Sequence, residues 1–232
     1  MQFIDQLGLP LFDAIAVVMV LLLWIGYTFF SLFEKGNKSS LRHLMHTQRM
    51  LWMREMCARD NRIVDATIVG NQLRGVSFFA STTVLLLAAL VSLLGVEQST
   101  LTHLQSFHWI PPESAAAWKL KVLLIAAVMV YAFFRFTWSM RQYQFTGVLV
   151  GSAPSTAREV EEAERQRAAE RAAGVASSAA YAFNTGLRAY YFAFAMLGWF
   201  VHPVLMLAMA VLVVAVLYRR EFHSRTVANL LA

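Results

Sequence analysis

Residues 189–218 read AYYFAFAMLGWFVHPVLMLAMAVLVVAVLY, thirty positions without a formal charge, and Arg219 and Arg220 follow at once. Lipid is the solvent in which such a stretch is ordinary. At about 20 apolar residues per bilayer crossing it is too long for one upright helix. How the chain divides it decides the topology. Gly198 and the His202-Pro203 pair offer a break, because proline has no N–H for the preceding turn and crowds it. The stretch from Ser178 to Phe222 accommodates two short helices, read here as a hairpin of spans 178–200 and 203–222. One long helix kinked at Pro203, giving four spans in all, is the alternative.

Upstream, three further apolar segments stand out: Leu11–Phe33, Val76–Val96 and Trp118–Met140. Each crosses about 30 Å of hydrocarbon at 1.5 Å per residue. The expectation is an all-α integral membrane protein, a multipass bundle of about five helices forming a single domain over residues 1–232. Composition agrees: the chain is 58% hydrophobic and 15% charged, against about 25% charged for soluble domains. The net charge of +6 then reads as basic loops facing anionic lipid rather than as a nucleic-acid footprint. A lone cysteine, Cys57, excludes an intramolecular disulfide. With no Lys or Arg ahead of the first apolar run, no cleavable signal is expected.

Positive charge orients the spans. None precedes Leu11, whereas Lys35, Lys38, Arg42, Arg49, Arg54, Arg59, Arg62 and Arg74 follow the first span. None lies between Glu97 and Ala117, and Arg141, Arg158, Arg165, Arg167 and Arg171 follow the third span. The tail carries Arg219, Arg220 and Arg225. This pattern puts the N-terminus outside and both long connections in the cytoplasm. Five spans return the basic C-terminus to the same side.

The two inner connections differ. Over residues 41–59, Leu41, Leu44, Met45, Gln48, Leu51, Trp52 and Met56 recur at helical spacing, with Arg42, His43, His46, Arg49, Arg54 and Arg59 on other faces. This is an amphipathic helix, lying in the headgroup layer or packed on the ends of the spans. Over residues 157–173 a charged helix is expected, opened by a Thr156/Glu159 capping box and stopped at Gly174. It has little apolar surface and reads as solvated.

Four strings carry a family resemblance. RMLWMREMCARDN followed by NQLRGVSFFASTT, SMRQY at 139–143, and GLRAYYFAF at 186–194 with Trp199 and Pro203 resemble a family of bacterial and plant multipass membrane proteins catalogued as domain of unknown function 599. The resemblance covers most of the chain from Arg49 to Pro203. It implies a multipass helical protein, no established activity and no catalytic residues to carry over.

Polar stripes run along three spans. Asn184, Arg188, Tyr191, Ala195, Gly198 and His202 share one helical face, as do Arg74, Ser77, Ser81, Leu85, Ala88 and Ser92. Lys121, Ile125, Val128, Ala132, Arg135, Ser139 and Gln142 make a third. Small and hydroxylated residues suit helix contacts in lipid, and terminal arginines snorkel to headgroups. The functional alternative is a cytoplasm-facing cavity that binds an anion or substrate through Arg74, Arg135, Arg141, Asn184, Arg188 and Tyr191, with Gly198, His202 and Pro203 as a gate. Guanidinium groups suit phosphate or carboxylate.

The leading functional expectation is therefore a channel or transporter for a small anionic or polar solute. The alternative is a non-catalytic membrane scaffold that binds lipid or a partner. An enzyme is not expected: no nucleophile elbow, P-loop, dinucleotide fingerprint or paired intramembrane carboxylate is present. His43 and His46 form an H-x-x-H pair, yet His103, His108, His202 and His223 supply no second motif, so neither metal nor cofactor is expected. The expected partners are anionic lipids at the basic face and further copies of the chain in a homo-oligomer, with no nucleic acid.

Overall fold

In lipid every backbone N–H and C=O must be satisfied within the chain, which favours continuous helices over apolar runs. The computed structural model describes residues 10–33, 40–96, 100, 114–156 and 159–231. These form α1 (Leu11–Phe33), α2 (Leu41–Cys57), α3 (Ile63–Leu94), α4 (Ala115–Ser152), α5 (Glu162–Leu197), one 3₁₀ turn (Gly198–Phe200), α6 (Pro203–Phe222) and α7 (Arg225–Leu231), with no strand among the described residues. Lys35, Lys38, Glu97, His103, His108, Ala157 and Arg158 lie outside the described residues.

Four helical stretches are long and apolar enough to cross a membrane: Leu11–Ser31, Ile63–Leu94, Ala115–Ser152 and Pro203–Leu231. In the first, second and fourth, only 17% of the most apolar window is buried. Leu22, Phe29, Leu85, Val91 and Leu212 all point outward. Exposed apolar surface of this extent suits contact with lipid. The break in the opening stretch falls where the sequence puts it: α5 ends at Leu197 and Pro203 is the first residue of α6. There its fixed φ suits a helix start and its missing N–H leaves no intrahelical bond unmade.

Three expectations need correction. The segments 76–96 and 118–140 are only parts of α3 and α4, which continue as helix beyond the apolar runs to Ile63 and Ser152. The charged helix 157–173 and the span 178–200 are a single helix, α5. Gly174 does not stop it, since an interior glycine costs only about 1 kcal/mol and alanines on both sides propagate the helix. Nor does Thr156 cap α5, which starts at Glu162; the Thr156 N–H donates to the Asp60 carboxylate at 2.9 Å. The charged segment is not a bare solvated helix either. Ala168, Ala169, Ala172, Ala173 and Ala176 are buried against Met53, Met56, Cys57, Val69 and Val150. The apolar face of α2 thus packs on protein.

By packing, the chain divides into two compact units. The first comprises Met1–Phe33, Thr82–Phe133 and Leu187–Tyr218; the second comprises Glu34–Ser81, Phe134–Gly186 and Arg219–Ala232. Within the first, Trp118 and Val122 pack with Leu90, Leu94 and Phe200. Trp24 meets Tyr131 edge-on with centroids 5.2 Å apart. The Tyr190 and Thr83 hydroxyls hydrogen-bond at 2.6 Å. The α5 residues Ala189, Tyr190, Phe192, Ala193, Ala195 and Met196 are all buried. A helix shielded in this way needs less apolar surface than its neighbours, which explains why α5 is not among the four most apolar stretches.

Within the second unit, the Phe79, Phe136 and Phe183 rings cluster at 5.4–5.7 Å. Gly186 sits on Phe136 so closely that a Cβ there would lie 2.5 Å from the ring. The Ser139 hydroxyl donates to the Ala179 carbonyl at 2.7 Å, joining α4 to α5. Asp65 is fully buried in the first turn of α3 and accepts from Trp52 Nε1 at 2.7 Å and from Arg59 at 2.9 Å. Arg62 donates to the carbonyls of Val150, Ala153 and Pro154 at 3.3, 2.6 and 2.5 Å. A cation there satisfies carbonyl groups left over at the C-terminal end of α4. The short α7 packs on α2 through buried Val227.

Candidate functional site

The first unit holds few charged groups, and two of its three Lys and Arg side chains, Lys121 and Arg188, are buried. Lys121, on α4, is 3% exposed. Its position follows from the chain break. In an α-helix the Trp199 carbonyl would accept from the N–H of residue 203, but residue 203 is proline and has none. The Lys121 ammonium donates to that carbonyl at 3.2 Å. It also lies 5.2 Å from the Trp199 ring centroid and 5.8 Å from that of Phe200, within cation–π range. On its other side the Trp199 indole N–H donates to the Asp13 carboxylate at 3.0 Å, tying α1 to the break.

The residues expected to gate form this break. The Val201 and His202 N–H groups both donate to the Gly198 carbonyl, at 3.1 and 3.0 Å. His202 is exposed, and its Nδ1 accepts the Val204 N–H at 3.2 Å, capping α6. Gly198 is buried, and a Cβ on it would lie 3.0 Å from the Met209 sulfur and 3.1 Å from the Met206 nitrogen. Only glycine lets the first turns of α6 approach so near.

Arg188, on α5, is 8% exposed. Its guanidinium donates to the Ser31 hydroxyl and lies 5.8 Å from the Tyr27 ring centroid. Tyr191 is half-buried in the same unit.

Arg74, Arg135, Arg141 and Asn184 belong to the second unit. Arg74 is exposed and donates to Asn71 on its own helix. Arg141 is exposed over the Phe145 ring at 5.1 Å, and Asn184 is exposed. Arg135 is half-buried, with its Cζ 5.7 Å from the Tyr181 ring centroid. The same ring carries Arg42 of α2 at 4.4 Å. Of the arginines expected to bind an anion, Arg135 therefore meets a second guanidinium that the sequence reading did not select.

The histidine pair of α2 is divided in role. His46 Nδ1 pairs with the Ser177 hydroxyl at 2.9 Å. Burial first, then the neighbouring Arg49, His43 and Arg42, hold its pKa below the ordinary 6.5. Burial pushes the Cys57 thiol up, so it stays protonated at neutral pH. Among the described residues no three His, Cys, Asp or Glu side chains come together as a metal site.

Lys121, which the sequence reading placed on a polar stripe, and Trp199 and Asp13 were not among the site residues expected from the sequence. The signal was present: a proline four residues after Trp199 orphans its carbonyl, and Lys121 is one of two lysines in an apolar helix. The Asp13–Trp199 partnership, 186 positions apart in the chain, had no local signature.

The sequence profile of the family described as "Protein of unknown function, DUF599" matches residues 15–226, from α1 into α7. No curated protein and no solved structure matches the chain. The match spans nearly all of the helical chain described above, and the protein belongs to the DUF599 family.

Proposed function

We propose that the protein is a channel or carrier for a small anionic or polar solute, working in a bacterial inner membrane. The observation that carries this reading is the buried Lys121 ammonium, seated on the carbonyl that Pro203 leaves without a helical donor. An ionisable group inside a membrane span costs a few kcal/mol and marks a solute path or a proton relay. Interrupted helices with freed backbone groups are a recurring device for holding ions in transporters. Arg188 supplies a second buried cation, about 15 Å back along α5 at 1.5 Å per residue. The Thr83–Tyr190 hydroxyl pair adds a polar group in the same unit. Two buried cations favour an anion, and Asp13 on Trp199 bears on the affinity at the break.

In this proposal residues 178–197 of α5 form a fifth crossing, with the N-terminus outside and the C-terminus in the cytoplasm. Several copies assemble around an axis, since no internal repeat supplies the pseudo-symmetry of common carriers. No enzymatic step is proposed. A second reading, a lipid- or partner-binding scaffold, is favoured by α2, where exposed Leu51 and Arg54 accompany the basic Arg42 and Arg49.

The test is solute flux in liposomes containing the purified protein. The wild type should dissipate a chloride gradient, and Lys121→Met and Arg188→Gln should each slow it about tenfold while the protein stays monodisperse. Wild-type vesicles that remain tight to chloride, protons and common cations would overturn the conduit and leave the scaffold.

A further inference from the structure

Three helices of the second unit meet around one tyrosine ring. Tyr181 of α5 carries Arg42 of α2 at 4.4 Å and Arg135 of α4 at 5.7 Å. The surrounding contacts fix all three helices. One turn along α2 from Arg42, and one turn back along α5 from Tyr181, His46 pairs with Ser177 at 2.9 Å. One turn along α4 from Arg135, Ser139 donates to the Ala179 carbonyl at 2.7 Å. The site is therefore held by hydrogen bonds on adjacent turns rather than by flexible surface side chains.

Two guanidiniums share the ring, and burial holds the pKa of His46 beside them below its ordinary 6.5. The Glu221 carboxylate accepts the Arg42 backbone N–H at 3.0 Å. Asp65 is engaged with Trp52 and Arg59, and Asp60 with Thr156. Arg135 is the exceptional member: its Nε is buried and has no hydrogen-bond partner. A buried donor without an acceptor is destabilising, the more so when the group is charged. An acceptor supplied from outside the chain removes that cost. A guanidinium presents its donors as a planar fork that matches two oxygens of a phosphate.

We propose that Arg135 and Arg42, gathered on Tyr181, form a phosphate-binding site that takes either the headgroup phosphate of an anionic lipid or a free phosphate. This site lies wholly in the second unit and does not rest on the conduit reading. The Arg135 fork binds the phosphate oxygens, Arg42 adds the second positive charge, and Tyr181 fixes the separation of the two.

Native mass spectrometry of the full-length protein, released from nanodiscs of phosphatidylcholine with phosphatidylglycerol, tests the site. Wild type should retain one phosphatidylglycerol preferentially. Arg135→Gln and Arg42→Gln should each lower that occupancy about tenfold, whereas Arg141→Gln, an exposed arginine of the same helix, should not. Arg135→Lys keeps the charge without the fork and should weaken retention with the fold intact, read by circular dichroism. Calorimetry with inorganic phosphate in detergent separates the two sources. Saturable heat lost in Arg135→Gln assigns a free phosphate, and lipid retention without such heat assigns the headgroup. Wild-type retention and heat in both Arg135→Gln and Arg42→Gln would overturn the site, as would equal losses in Arg141→Gln. A wild type that binds neither probe would do the same.

Discussion

The two units of this chain both expose apolar side chains but bury charge of opposite sign. In the first, Leu22, Phe29, Leu85 and Leu212 face outward, while Lys121 and Arg188 are buried. In the second, Ile63, Phe78, Phe134 and Val148 face outward, alanine and methionine fill one cluster of the core, and Asp65 is buried and paired. α3, α4 and α5 contribute residues to both. The same helices therefore carry a buried cation in one part and a buried carboxylate in the other. Lipid tolerates exposed leucine and forces charge inward, where it needs a partner.

The largest expected effect tests whether buried charge means different things in the two units. Asp65→Ala should destabilise the protein by about 3 kcal/mol, because it removes two hydrogen bonds to a buried carboxylate and leaves the Trp52 indole N–H unmet, while the half-exposed Arg59 stays solvated. Lys121→Met should cost no more than about 2 kcal/mol, the unmet Trp199 carbonyl being its main penalty. Denaturant titration in detergent measures both. Equal losses would erase the distinction between a structural charge and one retained for use.

Two glycines of α5 sharpen the account of packing in the second unit. Gly186→Ala should cost about 1–3 kcal/mol, because its Cβ would press on Phe136, which is itself fully buried among Phe79 and Phe183. Phe136→Leu in the same chain should recover part of that loss by removing the ring edge. Gly174→Ala should do the reverse and stabilise by about 1 kcal/mol, since the site is interior helix with nothing within 4 Å of the new methyl. Thermal melts of the three variants decide this. A destabilised Gly174→Ala would mean that α5 is interrupted there after all.

That last comparison shows where the sequence was legible. Long apolar runs announce themselves, so α1, the centres of α3 and α4, and the break at Pro203 were all readable. The continuity of α5 was not. Gly174 is a good stop signal in isolation, and alanine is too weakly apolar for Ala168, Ala169, Ala172, Ala173 and Ala176 to declare a buried face. They pack because Met53 and Met56 of α2 arrive from more than a hundred positions away. The candidate site divides in the same way. Arg188 and Arg135 were readable as cations in apolar surroundings. Tyr181 as the ring that gathers Arg42 and Arg135, and Trp199 as the carbonyl that holds Lys121, depend on tertiary contacts with no local periodicity.

The smallest expected effect is a dependence on pH confined to one unit. In the folded protein the pKa of His46 is held below its ordinary 6.5, first by burial and then by the arginines and His43 nearby. The unfolded chain takes up that proton near 6.5, whereas the folded chain resists it. Stability from this group is therefore intact above pH 6.5 and declines as pH falls below that value, until the folded pKa is reached. His46→Gln should flatten the decline while keeping a hydrogen-bond partner for Ser177. Hydrogen exchange at pH 5.5 and 7.5 locates the effect. Faster exchange confined to α2 and the Ala168–Tyr181 portion of α5 assigns it to the α2–α5 contact. An equal response in α1 and α6 would mean that the proton acts on the whole bundle, and that the two units do not respond to charge separately.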